Sequence, residues 1–146
     1  MFLEQNTAVI RRVYEQIYNA GNLEAIFEVY APEFISHPNS VSHNGILGPD
    51  GIREFVCMLR AAIPDIHFDV LDEIASQDRV VTRWKMQGTL LGSLFGFQPT
   101  GKIGFVTGIT IHRVVNGKVM EAWEEADMLG AFDQFGIIPA IEDFAD

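Results

Sequence analysis

The chain has a single cysteine, Cys57, among its 146 residues, which excludes an intrachain disulfide and a thiolate metal cluster. Cations are scarce. Lys and Arg number 10 against 20 Asp and Glu, a formal net charge of −10. Such a surface repels phosphate backbones and anionic bilayers, so neither nucleic acid nor membrane is expected as a partner. No apolar stretch reaches the ~18 residues of a membrane span. The opening Met1-Phe2-Leu3-Glu4-Gln5 has no basic leader-like region, and a cytoplasmic location is expected. Repeats, low-complexity tracts and linkers are absent from the sequence. The histidines show no ligand spacing on one helix or strand, so no metal site is expected.

What remains is an ordinary globular composition, 48% hydrophobic and 21% charged. A chain of this length buries about 68–70% of its unfolded surface, enough for one self-supporting domain over residues 1–146. Val9, Ile10, Val13 and Ile17 recur at helical spacing, with Gly21 as the stop. A second, short helix is predicted over 23–30, broken at Pro32, and Phe34–His37 reads as a short strand before a polar loop. Gly48-Pro49-Asp50-Gly51 has the signature of a helix start. Ile52, Phe55, Val56, Leu59 and Ile63 give that third helix its apolar stripe, up to Pro64. Cys57, between apolar neighbours, is expected to be a small buried side chain. From Ile66 the period drops to 2, predicting strands at 66–75, 79–88, 103–115 and 118–127 and a helical turn at 129–135. The acidic 141–146 stretch is left as a tail. Helices first and antiparallel hairpins afterwards give an α+β fold.

The Asn116-Gly117 pair is the strongest hairpin signal in the chain, because both turn positions need a positive φ. A regular two-residue hairpin would set His112 opposite Glu121, Thr110 opposite Trp123, Gly108 opposite Glu125 and Val106 opposite Asp127. That puts an imidazole, a hydroxyl, an indole and three carboxylates on one side, with Glu124 on the other. Gly108 would leave open space there, as a pocket requires. Carboxyls roofed by helices would have raised pKa values and could serve as general acid and base. A one-residue slip in register would exchange the two sides.

Several segments together carry a resemblance. They are Gly48–Phe55, Pro64-Asp65-Ile66-His67-Phe68, Asp78–Trp84, Gly92–Lys102, Asn116–Val119, Glu121-Ala122-Trp123 and Asp127. Over about residues 5–138 the chain resembles the SnoaL-like polyketide cyclases of the nuclear-transport-factor-2-like superfamily. The resemblance implies a curved antiparallel sheet with N-terminal helices forming a cone-shaped pocket, an NTF2-like (cystatin-like) α+β barrel. It also implies cofactor-independent aldol closure of an aromatic polyketide ester by an acidic residue on the last long strand.

Carried onto this sequence, the acid is Asp127 or Glu125, with Asp127 ahead on its Trp-x-x-x-Asp spacing. His112 is to assist it and Thr110 to contact substrate. Trp84, Trp123, Phe55, Phe97, Tyr14 and Tyr18 are candidates for the pocket wall, and His37 and Asn39 for its mouth. The expected ligand is a small hydrophobic or aromatic molecule. The free sheet face implies a homodimer or higher homo-oligomer. Two other readings stay open: a ketosteroid-isomerase-like enzyme and a non-catalytic binder of small hydrophobic ligands. Epoxide hydrolysis is disfavoured, since Arg83-Trp84-Lys85 has lysine where that chemistry needs an acid.

Overall fold

In the computed structural model, residues 2–142 are described. The tail expectation for 143–146 lies outside them. Helix α1 (Phe2–Arg12) continues as a π-helical stretch over Val13–Asn19. Gly21, at φ 70°, closes this segment as the sequence predicts, its N–H donating to the Ile17 carbonyl. Helix α2 (Glu24–Val29) runs into strand β1 (Tyr30–Ser36), and a loop leads to the short β2 (Ile46–Leu47) and helix α3 (Gly48–Ala62). Strands β3 (His67–Ser76), β4 (Arg79–Thr89), β5 (Ile103–Val115) and β6 (Lys118–Ala126) follow, then helix α4 (Met128–Gln134). Cys57 is exposed on α3, contrary to the expectation of burial; it lies off the stripe of Ile52, Val56 and Leu59 that faces inward.

The described strands form one open sheet in the order β2-β1-β6-β5-β4-β3. The long strands pair antiparallel, as predicted, and β1 lies parallel to β6. The helices cover one face, where Ile10, Val13, Ile17, Ile26, Val56 and Ile63 meet Val80, Trp84, Met86, Val106 and Val119. On β5 the buried positions alternate strictly: Gly104, Val106, Gly108, Thr110, His112 and Val114 face the helices. The two glycines make room for rings. A Cβ on Gly108 would lie 2.3 Å from Cζ2 of Trp84, and one on Gly104 3.0 Å from Phe135.

The Asn116-Gly117 turn forms as expected, with φ of 51° and 76°. The register beyond it is not regular. Val115 pairs with Lys118 and Val114 with Val119, but Arg113 then pairs with Glu121. Met120 is the extra residue of a β-bulge. Every later pair shifts by one: His112 faces Ala122, Ile111 faces Trp123, Thr110 faces Glu124, Ile109 faces Glu125 and Gly108 faces Ala126. The cross-strand pairs from His112–Glu121 onward are therefore corrected, and the two sides of β6 exchange places.

Candidate active site

Between the helices and the covered face of the sheet lies a partly open cavity. Tyr14 and Tyr18 enter it from the π-helical stretch, their rings 6.3 Å apart, and Phe55 and Leu59 enter from α3. Trp84, Thr110, His112 and Glu124 form its floor, and Leu94, Phe95 and Phe135 line the side. The wall is mostly apolar, and Glu124 is the one carboxylate among the residues lining it.

Glu124 owes this position to the bulge. It keeps some surface open to the cavity, yet protein surrounds it closely enough that desolvation raises its pKa above the usual carboxylate range. The neighbouring charge of Glu125 pushes the same way, and a hydrogen bond from Thr110 Oγ1 to Glu124 Oε1, 3.0 Å, opposes the rise. Trp84 Nε1 donates to the same threonine oxygen at 2.9 Å. His112, across from Ala122 and edge-on to Tyr14, has its pKa lowered to about 4 by burial. Its imidazole is therefore neutral at neutral pH, and its Nδ1 is buried without a hydrogen-bond partner. Burial likewise raises the pKa of Tyr14, so its phenol stays protonated.

The structure gathers Tyr14, Tyr18, Phe55, Trp84, Thr110 and His112 of the predicted set around this cavity. It does not bring the others there. Glu125 and Asp127 border a shallow groove on the opposite face with Arg83, Thr107 and Ile109. Asp127 caps α4, its Oδ1 accepting from the Gly130 N–H at 2.9 Å. Trp123 is also on that face, stacked on His37 at 4.9 Å with the Arg79 guanidinium 4.9 Å from its ring. His37 is held by Glu121 at 2.6 Å rather than at the cavity mouth.

Asn39 folds its own loop, accepting from the Val41 and Ser42 N–H groups and donating to the Glu124 carbonyl; Val41 reaches the cavity instead. Phe97 packs on Phe132, and Phe95, two residues earlier, lines the cavity. The space expected beside Gly108 is filled by the Trp84 indole. Sequence reasoning missed Glu124 because nothing in the Lys118–Ala126 pattern marks Met120 as extra. Among the described residues, no group of three or more His, Cys, Asp or Glu side chains is placed to hold a metal ion, and no helix is long and apolar enough to cross a membrane.

Comparison with known proteins agrees with this architecture. The sequence model of the SnoaL-like polyketide cyclases matches residues 8–135. The chain is 27% identical over 130 residues to the aklanonic acid methyl ester cyclase DnrD of Streptomyces peucetius, covering 88% of each chain. Identity to the aklanonic acid methyl ester cyclase DauD of Streptomyces sp. strain C5 is also 27%, over 88% of this chain and 80% of that one. Among solved structures, IdmH of Streptomyces antibioticus superposes with a TM-score of 0.79 at 27% identity, over 90% of this chain and 99% of the other. TsrD of Streptomyces laurentii shares the fold, with a TM-score of 0.83 at 21% identity over 92% and 97% of the two chains. With its family pattern spanning nearly all of the sequence, the chain belongs to the SnoaL-like polyketide cyclase family.

Proposed function

We propose that this protein closes a ring of an aromatic polyketide ester by intramolecular aldol condensation, without a cofactor, with Glu124 as the acid and base. The observation that carries this reading is the placement of one carboxyl of raised pKa in an otherwise apolar cavity, beside a neutral imidazole and a phenol. In the reaction Glu124 takes a proton from the carbon between two carbonyls. That carbon then bonds to the carbonyl carbon that it attacks, and the resulting alkoxide receives the proton back. Tyr14 is a hydrogen-bond donor for the developing enolate oxygen. His112, being neutral, orients substrate without adding charge. Trp84, Phe55, Phe95 and Phe135 exclude water and hold the substrate folded. The names of DnrD and DauD make aklanonic acid methyl ester a natural first substrate to try.

Glu124→Gln should lower kcat/KM for that ester by about 10²–10⁴-fold, the usual contribution of a general acid–base group. Glu125→Gln and Asp127→Asn, on the other face, should stay within a few-fold of the parent. Loss of turnover in either of these two with Glu124→Gln active would overturn the assignment. An unaltered ester that binds the parent protein but is never turned over would favour the binder reading.

The second half of the proposal is a homodimer through the uncovered face of the sheet. Phe105, Ile109 and Ile74 are exposed there. Arg79, Arg83, Lys85 and Arg113 share that face with Asp69, Asp72, Glu121 and Glu125. A mixed-sign, partly apolar surface in a strongly acidic chain is complementary to a second copy of itself.

A further inference from the structure

The hydrogen bonds that reach Glu124 have a fixed direction. An indole nitrogen has a hydrogen to give and no lone pair with which to receive. Thr110 Oγ1 must therefore accept from Trp84 Nε1 at 2.9 Å. It keeps one hydrogen and a second lone pair, and toward the ionised carboxylate, which can only accept, that hydrogen goes to Glu124 Oε1 at 3.0 Å. An oxygen already receiving the threonine hydrogen is a poor place for the acid's proton, so Glu124 Oε2 is left as the site of protonation. We propose that Trp84 is a positioning residue that, acting through Thr110, determines which oxygen of Glu124 carries and exchanges the proton.

The fold is built to keep the indole in place. Trp84 pairs across the sheet with Gly108, and the ring occupies the volume that any Cβ at position 108 would need. Phe68 packs against the same indole, with the ring centroids 5.2 Å apart. The ring is buried and cannot swing away from Thr110 without opening the core. The other groups around Glu124 are Tyr14 and Tyr18 from the first helical segment, Tyr30 from β1, His112 from β5 and Glu125 next to it in the chain. At neutral pH the phenols are protonated and His112 is neutral. The role in the reaction rests on Glu124 being the working acid. The bonded chain itself does not, and it can be tested without turnover.

The sequence has two tryptophans, Trp84 and Trp123, so a ¹⁵N spectrum shows two indole N–H signals. The one that disappears in Trp84→Phe should exchange slowly with solvent in the intact protein. It should also shift with pH at the midpoint of the Glu124 carboxyl, followed by ¹³C labelling, and lose that shift in Glu124→Gln. The Trp123 signal should not follow that midpoint. In Trp84→Phe the threonine hydroxyl loses the donor that polarises it and holds the ionised carboxylate less tightly, so the Glu124 midpoint should rise by about half to one pH unit. Thr110→Val should raise it similarly, whereas Thr110→Ser, which keeps the hydroxyl, should leave it at the parent value.

An indole signal that ignores the Glu124 titration, or a Glu124 midpoint unmoved in folded Trp84→Phe and Thr110→Val, would sink the proposal. If Trp84→Phe does not fold, the indole titration of the intact protein and the valine–serine pair decide it. Retained activity in Glu124→Gln would instead count against the acid–base reading while leaving these spectra unaffected.

Discussion

His112 shows how a single burial can set both a site's chemistry and a fold's pH tolerance. Its pKa is lowered to about 4 in the folded protein, against about 6.5 when unfolded. The unfolded chain therefore binds a proton that the folded one refuses. The resulting stability is complete above about pH 6.5 and is lost as pH falls toward 4, by at most about 3 kcal/mol. Glu124 acts in the opposite sense. Its raised pKa means that the folded state takes up a proton first, so acidification relieves the cost of its buried charge. Thermal melts from pH 7 to 4 should thus fall less steeply for His112→Gln than for the parent, and more steeply for Glu124→Gln. Equal slopes for His112→Gln and the parent would mean that the imidazole is protonated in the folded state.

At the scale of elements, the strands and their turns were legible because period-2 alternation and an Asn-Gly tip are local signals. The helix starts and stops were too, since Gly21, Pro49 and Pro64 act on their own neighbours. The side on which each β6 residue falls was not. It depends on Met120 bulging out against Arg113 and Val114, a choice made between strands rather than within one. Tyr14, Thr110 and His112 survived that error because none of them is on β6, the strand that carries the extra residue. The role of Gly108 was equally hidden, for a strand glycine signals a close approach without naming what approaches. Here it is the Trp84 ring, so Gly108→Ala should be destabilised by about 1–3 kcal/mol in chemical denaturation, in the manner of an overpacked core. Its tryptophan emission should also move as the indole is displaced. An alanine variant with parent stability would mean that the ring has room to yield.

For the whole molecule, the two faces of the sheet divide the labour. One holds the cavity, and the other collects four of the chain's ten Lys and Arg residues beside exposed apolar side chains. Two copies carrying −10 each repel at long range, and salt screens that repulsion within about a Debye length, 8–10 Å near physiological ionic strength. Sedimentation equilibrium should therefore show a homodimer whose dissociation constant falls between about 20 and 150 mM salt, and Ile109→Glu should leave monomers with an intact fold. A monomer at all salt concentrations would remove the dimer and leave the cavity as it stands. The inserted Met120 also bears on how relatives are compared. A chain with a regular hairpin meets the partner of the Thr110 position one residue sooner when counted from the turn. Aligned without a gap, a cavity acid in one chain would be set against a surface acid in the other. Gain or loss of one residue near the hairpin tip can thus relocate a carboxyl between inside and outside with no substitution at the site, a route of divergence that identity scores do not register.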